Sequence, residues 1–148
     1  MSDRVRNADL AKEHVGEARI RVRYQETDKM GVVYHANYLV WFEVGRVELM
    51  RQMGLSYKDM EREEQCGIAV VEASARYRAP AKYDDELIVR TWLTAVRGPV
   101  IKFAYAVVRA ADDVILCEGH TVHVAVDKDM KKCVLPNRYA KRFAEFLA

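Results

Sequence analysis

Cysteine is scarce in this chain, with only Cys66, Cys117 and Cys133 among 148 residues. An odd number at wide spacing excludes a disulfide framework and any CxxC metal or redox motif. The sequence therefore predicts free thiols with no local partner, and a reducing compartment, the cytoplasm. No apolar run approaches the roughly 18 residues of a membrane-spanning helix, so no membrane insertion is expected. The opening MSDRVRNADLAKEH has no apolar segment of the kind a secretory signal requires, and its acidic residues argue against a transit peptide. A large charge excess is also missing. With 24 basic and 22 acidic residues the net charge is +2, which gives no nucleic-acid signature. Low-complexity tracts, internal repeats and glycine-rich phosphate loops are absent as well.

What remains is the composition of one globular domain, with 51% hydrophobic and 31% charged residues. Residues 1–16 read as a loose polar leader, and residues 17–148 as the domain. From residue 18, Ala18, Ile20, Val22 and Tyr24 alternate with Arg19, Arg21, Arg23 and Gln25, the period of a strand with one wet face. Residues 26–37 break the pattern, with Gly31 in the break and Asn37 as an expected helix cap. Tyr38, Trp41, Phe42, Gly45, Leu49 and Met53 then share one helical stripe, widened by Val40, Val44 and Val47. Glu43, Arg46, Glu48 and Arg51 occupy the narrow remaining side, and Gly54 stops the helix. So wide an apolar girth predicts a helix covered on most sides.

After a charged stretch with room for a short helix, four strands are expected, at residues 68–77, 87–96, 100–109 and 114–126. In the last, Val114, Leu116, Val122, Val124 and Val126 are expected to share a face. A short helix follows Pro136. Short links between the later strands favour antiparallel pairing. A single apolar helix and a long antiparallel sheet bury each other if the sheet curls around the helix, an α+β solution.

The chemistry-bearing segment is Tyr24 to Arg51. It places Asp28 at a strand exit and His35 near the helix start, with a glycine-containing loop between them. Thioester hydrolysis needs a group that attacks the carbonyl carbon or activates a water, which a carboxylate can be. It also needs donors for the developing oxyanion, which unpaired N–H groups at a helix start supply. The plain alternative is that Asp28 is a turn or cap residue and His35 a structural histidine. The other candidates are weaker. His120 and His123 fall on opposite faces of a strand, so no metal site is expected from them. Ser56 and Ser74 have no nucleophile-elbow context.

The string TDKMGVVYHANYLVWFE at residues 27–43 resembles the signature of the 4-hydroxybenzoyl-CoA thioesterase family, closest to its Tol–Pal-associated bacterial acyl-CoA thioesterases. The similarity continues through Arg46, Glu48, Arg51 and Gly54, the run from Tyr77 to Asp85, Glu118 to Thr121, and Lys131 to Pro136. This resemblance implies a hotdog fold, five antiparallel strands wrapped around the helix, assembled as a homodimer or tetramer with active sites between subunits. It implies an acyl-CoA substrate and no cofactor, since CoA is part of the substrate. By resemblance Asp28 is the catalytic nucleophile or general base, and the backbone N–H of His35 polarises the carbonyl. Tyr34 and Asn37 would shape the same turn, and Arg97, Lys131, Lys132 and Lys82 would hold the CoA phosphates. Acyl carrier protein is a further candidate partner. Two other readings compete: a binding module that holds acyl-CoA or its carrier protein without hydrolysis, and a hotdog hydroxyacyl dehydratase.

Overall fold

The structure, a computed structural model, describes residues 14–147. Most of the expected leader lies outside those residues. Strand β1 is Gly16–Arg21, followed by helix α1, Asn37–Gln52, and a short helix α2, Tyr57–Glu63. Strands β2, Gly67–Tyr77, β3, Glu86–Arg97, β4, Val100–Arg109, and β5, Ile115–Val126, precede helix α3, Asn137–Glu145. The strands form one sheet in the order β1-β3-β4-β5-β2, with every pair antiparallel. The sheet wraps α1, which is the hotdog arrangement expected from the sequence.

Two glycines let the helix sit close to the sheet. A Cβ on Gly45 of α1 would strike Oγ1 of Thr91 and come within 2.9 Å of Val89 Cγ1. A Cβ on Gly119 of β5 would lie 2.6 Å from two ring atoms of Phe42. The Phe42 ring therefore lies flat over Gly119, stacked on Tyr105 with centroids 4.2 Å apart and planes within 7°. Around this contact Tyr38, Trp41 and Leu49 are buried against Val89, Leu93, Phe103 and Val107.

Several expectations are corrected. Tyr24 is not a core position: β1 ends at Arg21, a 3-10 turn spans Tyr24–Glu26, and Tyr24 is 78% exposed. In β5, Val122 and Val124 lie on the outer face and are only half-buried. The core side holds Cys117, Gly119, Thr121, His123 and Ala125, because Phe42 requires glycine beneath it. A register shift opposite Val107 and Val108 makes Leu116 an extra residue and breaks the alternation. Helix α1 is covered on its sheet side only. Val40 is 56% exposed, and Leu39 and Val44 are also open. Cys66 and Cys133 do meet, with sulfurs 3.8 Å apart. Burial raises the Cys66 thiol to about 12, with Cys133 adding to it, and raises Cys117 to about 12, so both stay protonated. No helix among the described residues is long and apolar enough to cross a membrane.

Arg46 departs from its expected exposed side. Its guanidinium donates to the Tyr105 hydroxyl at 3.1 Å. That hydroxyl shares a 2.6 Å hydrogen bond with Thr121, and Thr121 Oγ1 a 2.8 Å bond with His123 Nε2. Burial, then the nearby Arg46 charge, lowers His123 to about 4, with the Ile68 backbone opposing weakly. Between pH 6.5 and 4 the unfolded chain therefore binds a proton that the native chain excludes. Stability falls as pH drops through that window, by about 3 kcal/mol in total from this one group. Denaturant titrations at pH 7 and pH 4.5 should show this loss, and His123→Gln should reduce it.

Candidate active site

The loop after the 3-10 turn closes on itself. Thr27 bridges to Val33, the Asp28 N–H donates to the Val32 carbonyl at 2.8 Å, and Gly31 turns at φ +80°. Within it the Asp28 carboxylate accepts from the Met30 N–H at 2.8 Å and the Val32 N–H at 3.4 Å, both through Oδ1. Its second oxygen, Oδ2, has no hydrogen-bond partner among the described residues. One oxygen thus fixes the carboxylate in place, and the other is left without a hydrogen bond from the described residues. A bridge from Val32 to Lys82, and a 2.9 Å bond from the Val33 N–H to the Ala81 carbonyl, seat the loop against residues 80–85.

Glu26 organises the other side of this loop, a role the sequence did not single out. Burial pushes its carboxyl up. Hydrogen bonds from the Arg23 backbone and guanidinium, the Arg23 charge and the Trp41 indole outweigh that and leave it lowered. Its carbonyl accepts from the Tyr34 N–H at 2.9 Å and from Asn37 Nδ2 at 2.8 Å.

That last bond corrects the cap assignment. Asn37 is the first residue of α1, the cap is Ala36, and no side chain caps the helix start. The Asn37 N–H bonds the Tyr34 carbonyl, whereas the N–H groups of His35 and Ala36 have no acceptor among the described residues. Two adjacent backbone donors therefore stand free at the positive end of a 16-residue helix. Tyr34 and His35 are exposed beside them, with ring centroids 4.5 Å apart.

The phosphate candidates divide. Lys82 is exposed next to the Asp28 loop. Arg97 closes β3, and Lys132 bridges to Val126 at the end of β5, with Lys131 beside it. All three are exposed, but they stand at the far end of the sheet from Asp85 and Lys82. The 12 residues of β3 put roughly 35 Å between the two ends. A cleft of about 550 Å³, lined by Val47, Arg51, Tyr57 and Arg62 among others, includes none of the candidate residues.

Comparison with known proteins places the chain in a family. Residues 22–145 match the family model described as the thioesterase-like superfamily. YneP of Bacillus subtilis, provisionally named an acyl-CoA thioesterase, is 37% identical over 135 residues, covering 90% of this chain and 93% of that protein. The acyl-CoA thioester hydrolase YbgC of Escherichia coli is 34% identical over 127 residues, covering 85% and 93%. A Thermus thermophilus protein of hypothetical function, TT1821, superposes with a TM-score of 0.84 at 34% identity, covering 88% and 98%. The chain belongs to the thioesterase-like superfamily and is an enzyme of the thioester-hydrolase class.

Proposed function

We propose that this chain hydrolyses acyl-CoA thioesters in a site shared by two copies of itself. The observation that carries this is the Asp28 carboxylate, pinned through Oδ1 and open at Oδ2, in the loop that leads into an uncapped helix start. The substrate carbonyl oxygen accepts from the free N–H groups of His35 and Ala36, which stabilise it as negative charge develops. Asp28 Oδ2 either attacks the carbonyl carbon or removes a proton from the attacking water. Direct attack leaves an acyl anhydride on Asp28, which water then opens to the free acid, whereas the water route gives the acid directly. Both expel CoA as a thiolate, a leaving group that needs little acid assistance.

Pairing of two copies answers two features at once. Strand β2 is an 11-residue edge with Val70 and Val71 exposed, next to the bare apolar face of α1. Such an edge is seldom left open. Antiparallel pairing of two β2 strands about a two-fold axis sets the Tyr77 end of one against the Gly67 end of the other. The Arg97, Lys131 and Lys132 end of one subunit then approaches the Asp28 end of its partner. There the cations hold the nucleotide phosphates and Lys82 adds a charge from the catalytic subunit. Carrier-protein thioesters present the same kind of arm and belong in the same assay.

Thiol release from acetyl-, hexanoyl-, decanoyl- and benzoyl-CoA, and from an acyl carrier protein thioester, tests the reading. Turnover of at least one is expected. Stable binding without release would favour a binding module, and hydration of a 2-enoyl-CoA without free thiol would favour a dehydratase. Val71→Asp should convert a dimer to a 17.1 kDa monomer by light scattering and remove at least nine-tenths of the turnover. A fully active monomer would contradict the shared site.

A further inference from the structure

Tyr77, the last residue of β2, lies outside every role assigned above. Its hydroxyl donates to the His35 carbonyl at 2.9 Å. From this we infer that Tyr77 is a positioning residue for the oxyanion donors, an inference that rests on the thioesterase reading of this site. The His35 carbonyl and the Ala36 N–H belong to one peptide unit. That unit is planar and trans, so its N–H points opposite to its C=O. Fixing the carbonyl on the β2 side therefore fixes the direction of the Ala36 N–H, one of the two free donors. A hydrogen bond accepted by the carbonyl also polarises the amide and strengthens its N–H as a donor.

Nothing else in the described structure holds this peptide as firmly. The other bond to the His35 carbonyl comes from the Tyr38 N–H and is long, at 3.4 Å. Tyr77 itself is anchored. It pairs with Cys117 in the sheet, and the next residue, Arg78, donates to the Leu116 carbonyl at 2.8 Å. Its ring stands edge-on to Tyr38 at 5.5 Å and to His35 at 6.1 Å. Ring and hydroxyl thus have separable tasks: the ring packs, and the hydroxyl sets the peptide plane.

Tyr77→Phe separates them, because it keeps the ring and deletes the bond. Removal of a direct oxyanion donor costs 10²–10³ in turnover, so loss of its orientation should lower kcat roughly tenfold, with KM within about twofold. A purely structural role would lower apparent kcat only through loss of folded enzyme, so with kcat expressed per folded molecule, counted by circular dichroism, such a role predicts no change. The second readout is independent of activity. In the ¹H–¹⁵N spectrum, the Ala36 amide should shift in Tyr77→Phe, while amides in β3 and β4 stay in place. Unchanged kcat in an active enzyme, or an unmoved Ala36 amide, would overturn the inference. If the wild type releases no thiol from any acyl-CoA, the thioesterase reading fails, and the amide measurement alone decides what Tyr77 does.

Discussion

Asp28→Asn should lower kcat by about a thousandfold and leave the fold intact, a size in the range for removal of a general base or nucleophile. Asparagine is nearly isosteric. Its Oδ1 can still accept from the Met30 and Val32 N–H groups, so the loop keeps its internal bonds. What changes is the free oxygen, replaced by an amide nitrogen that neither attacks a carbonyl nor takes a proton. Asp28→Ala should remove as much turnover and, by releasing the loop bonds, also cost about 1 kcal/mol of stability. The two variants together separate chemistry from loop order. If both lose activity and only the alanine variant is destabilised, the pinned carboxylate acts as described. Near-full turnover by Asp28→Asn would mean that another group attacks the thioester.

The second large effect concerns stability. Phe42→Ala should destabilise the chain by about 4 kcal/mol, since it removes a fully buried ring stacked on Tyr105 and leaves a cavity over Gly119. Gly119→Ala fails for the opposite reason. Its methyl group would press on the Phe42 ring and on the Ser74 carbonyl, at a cost of about 2 kcal/mol. Because both substitutions act at one contact, they should not add. A smaller side chain at Phe42 makes room for a methyl at Gly119. The Phe42→Leu/Gly119→Ala pair should therefore be at least about 1 kcal/mol more stable than the sum of its single variants implies. Urea unfolding of the four proteins measures this, and strict additivity would show that the ring does not depend on the glycine.

Much of the architecture was legible in the sequence, for physical reasons that can be named. The stripe from Tyr38 to Met53 is buried as its spacing indicates, and the strand from Val100 to Arg109 has the bounds that its pattern gave. Failures came where contact with a distant element overrides local pattern. The valines at Val122 and Val124 look like core, yet the inner face of β5 carries a glycine, a threonine and a histidine. Phe42 and the Arg46 network select those residues from across the sheet. Asn37 looks like a cap, but its amide is drawn to the Glu26 carbonyl 11 residues back in the chain.

The site shows the same division. Asp28 and His35 could be singled out as candidates because they sit in one loop and one helix start, within reach of a short motif. Glu26 and the Tyr77 hydroxyl were not singled out, because their hydrogen bonds to backbone groups are set by the fold and no spacing reveals them. Arg97, Lys131 and Lys132 were identified as cations, but a linear sequence does not show that they stand at the opposite end of the sheet from Asp28. Only the strand register exposes that separation, on which the proposal of a site shared by two subunits rests.

The most direct test of a shared site is subunit complementation. Asp28→Ala retains Arg97, Lys131 and Lys132, whereas a variant with all three changed to Glu retains the Asp28 carboxylate. Each homodimer should turn over acyl-CoA poorly. Dissociated, mixed in equal amounts and reassembled, half the dimers pair one copy of each, and every such dimer contains one intact composite site. The mixture should then recover about a quarter of wild-type turnover at low substrate. Recovery of that size would place the carboxylate and the cations of one active site on different subunits. Turnover no higher than the average of the two separate variants would contradict it.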